Sequence, residues 1–155
     1  MSKKYMRKYK LLYFVSEDKY FLTHKVDHIL YAQKKKFDVL VVCKKTLTRK
    51  ISVLKDINIK YFDFDRKTLN PFKIMSNILK FYTIIKTYRP DILHNTALKP
   101  IIVGSFASFF FSKTHVINSI VGLGYVYINK NKRTFFLRLF LNCFFKFFLP
   151  KKNYF

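Results

Sequence analysis

Five short apolar runs, each followed by a longer stretch of different period, set the strongest constraint on what this chain can fold into. The runs are YKLLYFVS (9–16), FDVLVVCK (37–44), NIKYFDFD (58–65), DILHN (91–95) and THVINSIVG (114–122). Their length and their β-branched and aromatic content read as strands. THKVDHILYAQKKK (23–36) places Val26, Ile29, Leu30 and Gln33 at helical spacing, with Thr23 as N-cap. TRKISVLKDI (48–57) reads as a short helix. PFKIMSNILKFYTIIKTYR (71–89) lies between Pro71, which starts a helix, and Pro90, which stops it. Its expected buried face is Phe72, Met75, Ile78, Leu79, Tyr82 and Ile85. KPIIVGSFASFFFS (99–112) has almost no polar face, and Gly104 and Ser108, four apart, would allow close backbone approach. Strand and helix alternating through short connections require a parallel sheet covered on both faces. The expected fold class is α/β, a doubly wound, Rossmann-like parallel sheet with right-handed crossovers.

At 155 residues the chain suits one domain with a real core, expected over 1–130. The segment 131–150 differs. In TFFLRLFLNCFFKFFLP, Thr134, Arg138, Asn142 and Lys146 make one narrow polar stripe on an otherwise Phe- and Leu-rich helix. Such a helix packs on this sheet or on a further domain, or lies in the interface of an anionic bilayer with Arg133, Arg138 and Lys146 as membrane contacts. The formal net charge of +23 suits an anionic partner, although Lys, Asn, Ile, Phe and Tyr all have A/T-rich codons, so base composition also explains part of it. Cys43 and Cys143 show neither a disulfide framework nor CxxC spacing, which fits a reduced, cytoplasmic chain. LLYFVS is too short for a signal-peptide core, and no apolar run reaches the roughly 18 to 20 residues of a membrane span.

Ligands of open parallel sheets bind beyond the carboxyl ends of the strands, where strand order reverses. That rule selects Glu17, Asp18 and His24 after the first strand, and Asp65 and Arg66 after the third. It adds His94, Asn95, Thr96 and Lys99 after the fourth, and Ser119, Gly122, Gly124 and Tyr125 after the fifth. Each also has a structural explanation; His94 and Asn95 could simply close the corner by bonding main-chain groups. His24 and His28 lack the carboxylate a metal site would need, so no metal is expected. The GLG of 122–124 follows the wrong strand for a dinucleotide fingerprint, and neither a P-loop nor a GxSxG elbow occurs.

RPDILHNTALKPIIVGSFAS, followed at the next strand by VINSIVGLGYVY, resembles the amino-terminal domain of bacterial family 4 glycosyltransferases, which build lipopolysaccharide, O-antigen and capsule. FLTHKVD resembles the segment opening their first helix. The likeness runs from about Lys10 to Tyr127. It implies the amino-terminal, acceptor-side half of a GT-B architecture, with a second domain holding the nucleotide sugar across a cleft. It also implies retaining transfer to a lipid-linked saccharide without metal or other cofactor. His24, His94, Asn95, Lys99, Gly122 and Gly124 become cleft candidates, with His24 the foremost acceptor contact and candidate catalytic residue. A histidine that some members carry after the fifth strand has no counterpart in Ser119–Gly122.

Residues 151–155 then read as the start of a missing continuation, and the isolated chain is expected to be inactive without a donor-binding domain, supplied as an extension or as a separate polypeptide. An anionic, cytoplasmic-side membrane surface would be its partner, and no specific nucleic acid. The competing readings are a basic nucleic-acid- or membrane-binding module, which would need aromatics interleaved with lysines on one exposed face, and a nonfunctional remnant.

Overall fold

The computed structural model describes residues 8–48, 56–64 and 70–121, together with 128, 131, 135, 138, 139, 141–143 and 146. The chain divides into two compact units, Met1–Ile120 and Val121–Phe155. In the first, five strands form one parallel sheet: β1 (Lys10–Glu17), β2 (Asp38–Lys44), β3 (Asn58–Tyr61), β4 (Ile92–Thr96) and β5 (His115–Ser119). Their spatial order is β3-β2-β1-β4-β5, so the sequential order of the strands, all parallel, reverses between β1 and β4. This is the doubly wound, Rossmann-like arrangement expected from the alternation.

Period-two alternation along the central strand feeds two cores. Leu12 and Phe14 of β1 join Leu40, Val42, Phe62, Phe64 and Leu93 on one face, beneath α3 (Pro71–Tyr88) and α4 (Leu98–Ser108). Phe14 stacks on Phe81 of α3 with ring centroids 4.1 Å apart. Truncating Phe14 to alanine would cost about 3–5 kcal/mol. On the other face Leu11, Tyr13 and Val15 pack with Phe21 and Ile29, contributed by α1 (Asp18–His24) and α2 (Val26–Lys34).

The expected helix over 23–36 is two helices. The first begins at Asp18, directly after β1, and Thr23 lies inside it, its hydroxyl donating to the carbonyls of Lys19 and Tyr20. A break at Lys25 (φ −130°, ψ −9°) separates it from α2. Asp18 explains the early start. Its carboxylate is buried and accepts from the backbone amides of Lys19, Thr46 and Leu47 and from the Thr46 hydroxyl, tying the head of α1 to the loop after β2. Burial alone would raise its pKa, but these hydrogen bonds outweigh it and hold the carboxyl below the usual range.

Helix α3 keeps its expected bounds: Asn70 caps it by accepting from the Phe72 and Lys73 amides, and Arg89 ends it in the left-handed region before Pro90. Its buried face agrees with the expected one at Ile85, which is buried, and at Ile78 and Tyr82, which pack partly buried on the core, and departs from it at the other three positions. Asn77, Phe81, Ile84 and Ile85 point inward, whereas Phe72, Met75 and Leu79 are exposed. The helix carries two apolar arcs, and the one bearing Phe81 meets Phe14 and Phe62. The short helix expected over 48–57 lies almost wholly outside the described residues. In the second unit Phe135, Arg138, Leu139, Leu141–Cys143 and Lys146 are helical. Among the described residues no helix is long and apolar enough to cross a membrane.

Candidate functional site

The carboxyl end of β4 sends its side chains to both faces of the sheet, and this alternation divides the His94–Lys99 corner into two structures. Asn95 turns beneath α4. It is fully buried, its amide donates to Asn118 Oδ1 at 2.9 Å, and Asn118 in turn donates to Ser105 Oγ at 3.3 Å. The chain of bonds ties β4, β5 and α4 together. Gly104 is what lets α4 come this close: a Cβ there would lie 2.1 Å from Asn95 Oδ1. Asn95, expected in the cleft, is therefore placed as a packing residue.

His94 turns to the other face, where α1 packs on β1 and α2 on β2 and, among the described residues, neither covers β4 or β5. Its Nε2 lies 2.6 Å from Ser119 Oγ, across the β4–β5 pair, and its ring lies against Tyr13 of β1 with centroids 4.8 Å apart. Burial, with the charges of Lys25 and His28, pushes the His94 pKa down to about 4. The imidazole is thus neutral at pH 7 and offers one donor and one acceptor nitrogen. Tyr13, itself buried, has its phenol pKa raised by that burial. A groove of about 560 Å³ runs from here along the open sheet face, lined by Tyr13, His28, Tyr31, Ile92, His94 and Ile117 among others. Its walls are mainly apolar with a few polar groups, which suits a ligand that has an aliphatic or ring face and hydroxyls to orient.

Two further observations mark this corner as unusual. Thr96 Oγ1 and Asn95 Oδ1 are buried without a hydrogen-bond partner among the described residues. Ala97, which opens α4, has φ 78° and ψ 157°, a region populated almost only by glycine. The strain is held by the Ala97 amide, which donates to Ser119 O at 3.2 Å, and by the Ile101 amide, which donates to Ala97 O. Buried orphan acceptors and a strained backbone together are features that recur at ligand sites.

The structure brings His94 and Ser119 into contact as neighbours, and sets Lys99 in the first turn of α4. His24 is exposed at the end of α1, its ring 4.8 Å from Tyr20, and does not line the groove; His28 does, one turn further on. Gly122, Gly124, Tyr125 and Arg133, like Asp65 and Arg66, lie outside the described residues. Arg138 is partly buried and Lys146 exposed. Among the described residues no group of three His, Cys, Asp or Glu side chains could hold a metal. Sequence reading missed Tyr13 and Lys25. Tyr13 sits in the middle of an apolar run, and only the β1–β4 register, which sets it opposite His94, reveals it.

A parallel sheet whose strand order reverses between β1 and β4, with helices packed on its faces, defines an α/β protein of Rossmann-like architecture. The family model described as glycosyl transferase 4-like matches residues 10–153, and the chain belongs to that family. Among solved structures it is similar to a glycosyltransferase from Rickettsia africae (TM-score 0.54, 19% identity, 73% of this chain and 30% of that one). It is also similar to the lipopolysaccharide outer core galactosyltransferase WaaB (TM-score 0.57, 14% identity, 81% and 36%). A UDP-N-acetylglucosamine 2-epimerase matches comparably (TM-score 0.58, 15% identity, 73% and 32%). At these identities the likeness is one of fold. The chain spans about a third of the length of each of these structures. No curated protein matches it by sequence.

Proposed function

We propose that this chain is the acceptor-side half of a GT-B glycosyltransferase that moves a sugar from a nucleotide-sugar donor, with retention of configuration and without a metal, to a lipid-linked saccharide in cell-surface polysaccharide synthesis. The observation that carries the reading is the His94–Ser119 pair at the carboxyl ends of β4 and β5, next to the switch point between β1 and β4, in a glycosyl transferase 4-like chain. A neutral imidazole and a hydroxyl, beside the Tyr13 ring, can orient acceptor hydroxyls without introducing a charge. Lys25 and His28 are close enough to act electrostatically on His94, and positive charge there would draw an acceptor diphosphate. The nucleotide sugar is held mainly by a second domain, and transfer requires both halves because the transition state forms between them. Arg133, Arg138 and Lys146 hold the chain at the cytoplasmic face of an anionic membrane.

The test is a transfer assay with nucleotide sugars and a polyprenyl-diphosphate-linked saccharide, using the purified chain alone and with a donor-binding domain of the same family added in trans. The expected result is transfer only with the added domain. Transfer by the chain alone contradicts the division of labour.

A further inference from the structure

The outward arc of α3 is apolar where a solvated helix would be polar. Phe72, Met75 and Leu79 are 84%, 56% and 61% exposed and fall within about 60° of one another around the helix. Lys73, Lys80 and Lys86 are exposed beside them, and α3 holds no acidic residue. Past the end of α4, Phe109 and Phe110 are 70% and 78% exposed. Tyr82 of α3, packed on Phe111 at 5.1 Å, joins the two groups. From Pro71 to Lys113 the chain carries six lysines and arginines against one carboxylate, Asp91, which the Lys10 amide binds at 2.8 Å.

Next to the first half of α3 lies a polar cleft of about 400 Å³, lined by Lys44, Asp63, Lys73, Ser76, Asn77 and Lys80 among others. Asp63 pairs with Lys44 at 3.6 Å, which leaves Lys73 and Lys80 as the basic groups facing the cleft. Asn77, only 7% exposed, also lines the cleft.

We propose that this face docks on an anionic phospholipid bilayer: the Phe72–Met75–Leu79 arc and the Phe109–Phe110 pair enter the acyl boundary, and the cleft beside α3 receives a lipid phosphate. Lysines flanking an apolar helical arc fit this partner, because their stems follow the apolar surface while their ammonium groups reach the phosphates. A second copy of the chain fits poorly, since two +23 molecules would set their lysine rows against each other. Nucleic acid would satisfy the lysines but leave Met75 and Leu79 in water. The inference deepens the membrane part of the proposed function, assigns it to a surface separate from the His94 groove, and requires no catalytic step.

The chain contains no tryptophan, so single replacements report their own surroundings. Leu79→Trp, and Tyr31→Trp on the exposed face of α2 as reference, are to be mixed with vesicles of phosphatidylcholine alone or with phosphatidylglycerol, carrying brominated acyl chains. With phosphatidylglycerol, Leu79→Trp emission should shift to the blue and be quenched, while Tyr31→Trp emission stays unchanged. Phe72→Ser/Met75→Ser/Leu79→Ser should lose roughly tenfold or more in vesicle affinity, with no fall in melting temperature because these side chains are already exposed. Lys73→Ala/Lys80→Ala should abolish the preference for the anionic lipid. Wild-type affinity in the triple variant, or quenching confined to Tyr31→Trp, overturns the proposal, as does an equal loss of duplex DNA binding in the triple variant. A positive two-domain transfer assay alongside any of those results leaves the transferase reading standing.

Discussion

A methyl group placed on Gly104 would come within 2.1 Å of Asn95 Oδ1, so the approach of α4 to β4 depends on glycine at that position. Asn95 has little room to yield, being fully buried and bonded to Asn118. Gly104→Ala should therefore destabilise the domain by about 1–3 kcal/mol despite its gain in helix propensity, read as a fall in melting temperature. Asn95→Ala in the same chain should recover part of the loss, since it removes the atoms that clash. A Gly104→Ala variant as stable as the wild type would show that α4 does not sit this close.

The depressed pKa of His94 predicts a pH dependence of stability. Its folded value is about 4 against 6.5 for the ordinary imidazole, so the unfolded chain binds the extra proton first as pH falls. Stability from this group is complete above pH 6.5 and is lost on the way down to about 4. Denaturant titrations of wild type and His94→Gln should diverge across that window, the wild type losing up to about 1.4 kcal/mol per pH unit more. Solvent at the partly exposed ring reduces the slope below that bound. Parallel curves would mean the ring is not desolvated by Tyr13 and its neighbours.

Ala97→Gly should stabilise the corner. Relief of a glycine-only backbone conformation is worth about 1–3 kcal/mol, and the added entropy of the unfolded chain takes back about 0.4–1. The net expectation is a rise of about 1 kcal/mol in unfolding free energy.

The two cysteines should differ in reactivity. Cys43 is fully buried, and burial together with the Asp18 carboxylate pushes its thiol up to about 12, whereas Cys143 is exposed. A thiol-disulfide reagent at pH 8 should label Cys143 rapidly in the native chain and Cys43 only after denaturation. Rapid labelling of both under native conditions would contradict the placement of Cys43.

The backbone plan was legible because period and punctuation are local signals. All five strands lie within the runs that announce them or one residue beyond, and Asn70-Pro71 and Arg89-Pro90 fix α3 from neighbouring residues alone. What was not legible depends on contacts distant in sequence. Asp18 starts α1 early because Thr46 and Leu47 supply its donors. The inward face of α3 was chosen by Phe14 and Phe62, not by the helix itself. The site was half readable: His94 and Ser119 followed from the switch-point rule, but that Asn95 turns away and Tyr13 turns in follows from strand register.

The most direct measurement of the central claim is a binding titration of the chain with a short-chain polyprenyl-diphosphate-linked N-acetylglucosamine, followed by amide chemical shifts, for wild type, His94→Ala and Ser119→Ala. The account predicts saturable binding with shifts at Tyr13, His94 and Ser119, and roughly tenfold or greater weakening in each variant. Binding of equal strength in all three, or shifts confined to residues away from β4 and β5, would contradict it.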